Sequence, residues 1–132
     1  MRVTLEISAG ELIDRITILE LKRVHFTSES ARDEVTRQLT AARAERDRVI
    51  RPSPELFALT AALATVNLQL WGTENKLREC EHNSEFGARF VALARSVYTA
   101  NDRRAALKRR IDELLGSDVR EHKFYLSQRS AP

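Results

Sequence analysis

The chain has 132 residues, 22 Lys and Arg against 19 Asp and Glu, and a formal net charge of +3. With 42% hydrophobic and 31% charged residues it has the composition of one soluble globular domain rather than a disordered tail. Four Gly, three Pro and a single Cys exclude a many-stranded sandwich and a disulfide-stapled scaffold.

Residues Arg2–Ile7 alternate, with Val3, Leu5 and Ile7 on one side and Thr4 and Glu6 on the other, which predicts a half-buried strand. Ser8-Ala9-Gly10-Glu11 is a capping-box pattern that opens a first helix running to about Phe26. Leu12, Ile13, Ile16 and Leu19 form its apolar face, widened by Ile18 and Leu21. Thr27–Ser30 is a polar break. A second helix over about Ala31–Ile50 carries only a thin stripe of Val35, Leu39, Ala42 and Val49, and its pairs Asp33/Arg37 and Asp47/Arg51 have the acid-first i,i+4 order.

Ser53 and Pro54 form a cap and first-turn signal for a long helix over about Pro54–His82, with Leu56, Leu59, Leu63, Val66, Leu70, Leu77 and Cys80 at three-four spacing. Its apolar stretch Leu56–Trp71 is shorter than the roughly 20 residues of a bilayer span and reads as a buried helix. Ser84 caps a last helix over about Glu85–Leu115. There Phe86, Phe90, Leu93, Val97, Ala100, Leu107, Ile111 and Leu114 make a near-heptad seam interrupted at Arg104, and Gly116 ends it. Phe124 and Leu126 alternate with polar neighbours, which suggests a short strand paired with the N-terminal one. The expectation is a mainly all-α single domain, 1–132. Its two long helices form an antiparallel hairpin, and the two shorter ones run along it as a broken third rod.

Mid-helix polar residues beside an apolar seam need a reason, because short polar side chains compete for the helix backbone. The last helix offers Arg95, Tyr98, Asn101 and Asp102. The preceding one offers Asn67, Trp71, Glu74, Arg78 and Glu81, and the first helix Glu11, Arg15 and Lys22 with Glu20 on a neighbouring face. Three such stripes can enclose a polar pocket. Arg78 and Arg95 would hold an anion, Trp71 and Tyr98 would line an apolar or sugar-like ring, and Asn101 and Glu20 would border the ligand. Glu74 or Asp102, beside the arginines, would serve as general acid or base. The alternative is a structural network, since Glu74/Arg78 also has the spacing of an ordinary i,i+4 ion pair.

Other chemistries have weak signals. The run Arg103-Arg104 and Lys108–Arg110 is broken by acids and has no interleaved aromatic, so a solvated face is preferred to nucleic-acid binding. One Glu79-Cys80-Glu81-His82 stretch cannot build a two-metal carboxylate site, and no Cys pair suggests zinc. Neither metal nor cofactor is expected. Cys80 falls on the apolar stripe as a core residue, and His25 and His122 belong to the surface. Met1–Ser8 lacks a basic end followed by an apolar core, and the lone Cys suits a reducing compartment, so a cytoplasmic location is expected. Eighteen of the basic residues are Arg, which fits either bidentate contacts with carboxylates and phosphates or a G+C-rich genome.

Two stretches carry a resemblance: Ser8-Ala9-Gly10-Glu11-Leu12-Ile13-Asp14-Arg15-Ile16-Thr17-Ile18-Leu19-Glu20, and Ala94-Arg95-Ser96-Val97-Tyr98-Thr99-Ala100-Asn101-Asp102-Arg103-Arg104-Ala105. With Leu70-Trp71 and Glu74 between them, the chain resembles a bacterial family of short, cytoplasmic, helical proteins of unknown function associated with loci for cell-surface sugars or specialised metabolites. The resemblance places Glu11, Asp14, Glu20, Trp71, Glu74, Arg95, Tyr98, Asn101 and Asp102 on motif positions and implies no catalytic role. The chain departs at its end, where Glu121-His122-Lys123-Phe124-Tyr125 stands in place of an acidic-Lys-Ser-Tyr ending. A fainter echo of helical chorismate mutases, in Ile13-Asp14-Arg15 and Ile18-Leu19-Glu20-Leu21, is one residue out of step and conflicts with the break at Thr27–Ser30. Two functional readings therefore stand. One is a small enzyme or binding protein with a pocket for an anionic metabolite. The other is a helical interaction module that pairs with a second copy or docks on another protein without catalysis.

Overall fold

A computed structural model describes residues 1–117 as four helices: α1 (Ala9–His25), α2 (Glu29–Val49), α3 (Pro54–His82) and α4 (Ala88–Leu115). No strand occurs among them, and the fold is all-α. The predicted strand at Arg2–Ile7 is therefore corrected. A strand needs a neighbour for its backbone groups, and no other strand stands among the described residues. Val3 and Leu5 are exposed instead, and only Ile7 packs, against the cluster of Leu12, Ile16 and Leu39. Its suggested partner around Phe124 and Leu126 lies outside the described residues.

The helix starts follow local chemistry. Ser8, Ser28 and Ser53 each accept a backbone N–H two or three residues into α1, α2 and α3, and Pro54 occupies the first turn of α3. The capping box of α1 is only half made: Ser8 Oγ accepts from Glu11 N at 3.0 Å, while Glu11's own carboxylate turns to Arg15 and Lys108. α4 begins three residues later than predicted, after Gly87 and without a side-chain cap. Ser84, the expected cap, takes a left-handed conformation in the connector. Gly116 is left-handed after α4, as a residue without Cβ allows.

α1 lies at the centre of the packing and touches all three other helices. Ile13 joins Leu56, Leu63 and Ile111, while Leu12 and Ile16 join Leu39 of α2. Val66 and Leu70 of α3 meet Ala100 of α4 in a third cluster. α2 packs on α1 and on neither long helix, so the broken rod is also corrected. α2 lies against α1 instead of extending it, because Leu39 must reach Leu12 and Ile16 to be buried. The thin stripe of α2 shows the same economy: Val35 and Leu39 are buried and Val49 is exposed. Within α2 the ion pairs among the described residues are Arg37 with Glu34, Arg46 with Asp47 and Arg48 with Glu45, not the predicted Asp33/Arg37 and Asp47/Arg51.

Candidate functional site

The polar residues of the long helices fall into two groups with different surroundings. The first is buried where α1 crosses α3 and α4. Asp14 is 1% exposed. Its Oδ1 accepts from Asn67 Nδ2 and from Arg104 Nε, each at 2.9 Å, and its Oδ2 accepts from Arg104 Nη2 at 2.5 Å. Thr17 closes the ring, taking a hydrogen bond from Asn67 at 2.8 Å and donating to the Asp14 carbonyl at 2.7 Å. The interruption at Arg104 in the α4 seam thus meets a planar carboxylate, the partner that a guanidinium grips with two parallel bonds.

One turn further along, Lys108 is buried and its Nζ lies 2.6 Å from Glu11. Asp112 is fully buried and accepts from Gly10 N at 2.6 Å. A carboxylate here satisfies a backbone donor of α1's first turn and faces the positive end of its dipole. Ala9 N finds Ser117 Oγ at 3.2 Å, and Glu11 N and Leu12 N go to Ser8, so every N–H from Ala9 to Leu12 has a partner. Asp112 Oδ2 has no hydrogen-bond partner among the described residues. Gly10 makes this approach possible. A Cβ there would fall within contact distance of the Lys108 carbonyl and 2.8 Å from Asp112 Oδ1. The basic run is thereby corrected in part: Arg104 and Lys108 turn inward, while Arg103, Arg109 and Arg110 remain exposed.

The second group contains most of the predicted pocket. Glu74, Arg78, Arg95 and Asp102 are exposed, Tyr98 is 71% exposed, and Trp71, Asn101 and Glu20 are half-buried. Trp71 packs on His25 and Phe26, with ring centroids 5.2 and 6.4 Å away, where α1 ends. Glu20 is drawn elsewhere, to Arg43 of α2 at 2.9 Å. None of the three best-formed cavities is lined by Trp71, Glu74, Arg78, Arg95, Tyr98, Asn101 or Asp102. Glu74, Arg78, Arg95 and Asp102 make no ion pair among the described residues, so Glu74 and Arg78 are not the i,i+4 pair their spacing allows. Beyond Trp71 the ends of α3 and α4 meet only each other among the described helices. There Arg89 reaches Cys80 Sγ at 3.3 Å, and Cys80 is fully buried as a core residue.

A third feature is apolar. A cavity of about 230 Å³ opens between α2 and α3, floored by Ile13, Ile16 and Leu56 and rimmed by Glu20, Asp47 and Phe57. Among the described residues no three His, Cys, Asp or Glu side chains gather as a metal-binding set.

Sequence reasoning found the second group and missed most of the first as a unit. The signal was present: Asp14, Asn67, Arg104 and Lys108 are all polar positions inside apolar periodicities, and their opposite charges pair only across helices. Set against known families, curated proteins and solved structures, the chain matches none.

Proposed function

We propose that the protein is a cytoplasmic helical interaction module. In this reading α3 and α4 form an antiparallel hairpin whose far end presents a recognition surface, and α1, backed by α2, braces its base. The observation that carries it is the exposure of Arg78, Arg95 and Tyr98 next to Glu74 and Asp102, none of these four charges having an ion-pair partner among the described residues. Protein interfaces concentrate Arg, Tyr and Trp, and a charged pair that is open in the free protein is available to close across a contact. The partner is a protein surface with both signs of charge. The reading needs no catalytic step, and Glu74 and Asp102 act in it as docking groups.

The test is capture of partners by the full chain carrying Arg78→Ala, Arg95→Ala and Tyr98→Ala together, against wild type. All three side chains are exposed, so the variant keeps its helicity and melts within a degree or so of wild type. Loss of a protein retained by wild type supports the reading, and an unchanged set of retained proteins overturns it.

A second reading rests on the same open guanidinium groups. Arg78 and Arg95 would take a small anionic metabolite at the surface, with Trp71, Tyr98, Asn101 and Glu20 beside it. Melting of wild type with a panel of sugar phosphates and carboxylates separates the two. A shift in wild type that Arg95→Ala abolishes selects the metabolite, and no shift with any anion leaves the protein partner.

A further inference from the structure

The walls of the apolar cavity are held apart by the core itself. Leu39 anchors α2 on Leu12 and Ile16, whereas Leu56 and Leu63 anchor α3 on Ile13. α2 and α3 do not pack on each other. Ile50, where α2 ends, packs against both clusters and closes the apex, next to Pro52 and Ser53 of the connector. The gap is a V with α1 as its floor and the two helices as its sides. Closing it would draw Leu39 or Leu56 out of its cluster, at a cost like that of truncating a core side chain. An apolar cavity of about 150 Å³ already takes a benzene ring. The roughly 230 Å³ here hold a phenyl ring with a short chain attached.

The polar groups at the mouth set the other half of the ligand. Thr60 also lines the cavity, and its Oγ1 spends its proton on the Leu56 carbonyl at 2.8 Å, so it offers only lone pairs. Glu20 accepts from Arg43 through Oε1 and Asp47 from Arg46 Nε through Oδ1, each at 2.9 Å. The second oxygen of each carboxylate has no hydrogen bond among the described residues. Of the charged side chains that line the cavity, Glu20 and Asp47 are carboxylates, and Arg46 already holds Asp47. We infer that the cavity binds a small amphipathic amine, a phenyl-sized ring on a short chain that ends in an ammonium group. The ring lies on Ile13, Ile16 and Leu56. The ammonium stays at the mouth, donating to the second oxygens of Glu20 and Asp47. Their side chains are 42% and 68% exposed, so the head group keeps part of its water and escapes the full cost of a buried charge. Phe57 at the rim adds an aromatic ring beside the cation. A carboxylate or phosphate head would instead meet two carboxylates.

Glu74, Arg78, Arg95, Tyr98 and Asp102 do not line this cavity, so the inference stands independently of the recognition surface. The test is amide NMR of the full chain titrated at neutral pH with phenethylamine, phenethyl alcohol and phenylpropionate, which carry one ring with a positive, a neutral and a negative head. Phenethylamine should shift the signals of Ile50, Phe57 and Thr60 with a Kd on the order of 1 mM, as its few heavy atoms allow. It should bind roughly three- to tenfold tighter than the alcohol, the scale of exposed charge pairs, with phenylpropionate weakest. Glu20→Gln with Asp47→Asn should erase the advantage of the amine and leave the alcohol unchanged. Thr60→Phe, which puts a ring of the protein's own into the space, should abolish binding of the amine with helicity retained. Absence of shifts with all three compounds overturns the inference, as do shifts centred on Trp71 or Tyr98. Equal affinity for amine and alcohol in wild type, or amine binding that survives in a folded Thr60→Phe, overturns it as well.

Discussion

The base and the far end of the α3–α4 pair are built from the same kind of sequence, an apolar seam bordered by Arg, Asp, Asn and Glu, and they use it in opposite ways. At the base, α1 is present, and Asp14, Asn67 and Lys108 are buried and Arg104 half-buried, each with partners on other helices. Beyond Trp71, α1 has ended, and Glu74, Arg78 and Arg95 face solvent without ion pairs among the described residues, while Asp102, next to the Arg103 that reaches Gln69, is exposed on a side of α4 turned away from Asp14. A polar residue near a seam is thus not a site by itself. What it becomes depends on whether a third helix arrives to bury it. A buried ion pair stripped of one member is costly, whereas an exposed charge is nearly free to remove.

That contrast can be attacked at its strongest point first. Gly10→Ala places a methyl against the Lys108 carbonyl and Asp112. It should push α1 off α4 and cost about 2–4 kcal/mol, combining overpacking with a lengthened Gly10–Asp112 hydrogen bond. Chemical denaturation measures it, and a variant as stable as wild type would show that α1 is not held at this approach. Next, Asp14→Ala removes the acceptor of both Asn67 and Arg104. The loss should be about 2–4 kcal/mol, below the value for a wholly dry pair because Arg104's side chain is 27% exposed. A double-mutant cycle with Arg104→Ala should show strong coupling, and additive losses would mean the two groups act separately.

Smaller effects sharpen the boundary between the regions. Asn67→Ala should cost about 1–2 kcal/mol, since it leaves Asp14 with one fewer donor while Arg104 remains. Arg78→Ala and Arg95→Ala should each stay within about 0.5 kcal/mol of wild type. The least effect belongs to α2. The Glu34 carboxyl is held below the ordinary carboxylate range by Gln38 and Arg37, and Glu45 by Arg48. Depressed carboxyls contribute stability above their unfolded values and lose it as pH falls through the folded ones. Glu45→Gln should therefore melt like wild type at low pH and differ only slightly at neutral pH, less still in high salt.

Much of the fold was legible because helix signals are local. Ser53-Pro54 starts α3 where the pattern predicts, Gly116 follows α4 in the left-handed conformation, and Leu12, Ile13, Ile16, Leu63 and Ile111 are buried as their spacing requires. The failures involve partners distant in the chain. Arg2–Ile7 alternates like a strand, but pairing decides, and no strand lies beside it among the described residues. The placement of α2 against α1 turns on Leu39, whose periodicity gives a face but not the helix it meets. The site shows the same division. Arg104 stands out as an interruption, yet nothing local says that Asp14, 90 residues earlier, will grip it. The exposed group was legible as a set of residue types, while their openness to solvent follows from where α1 stops.

The most direct measurement of the whole account is the melting temperature of Asp14→Ala beside that of Arg95→Ala, both in the full chain under the same conditions. Asp14→Ala should fall by many degrees, and Arg95→Ala should give a curve indistinguishable from wild type. If Arg95→Ala falls as far, or Asp14→Ala melts with wild type, the division between a structural base and an open recognition surface is contradicted.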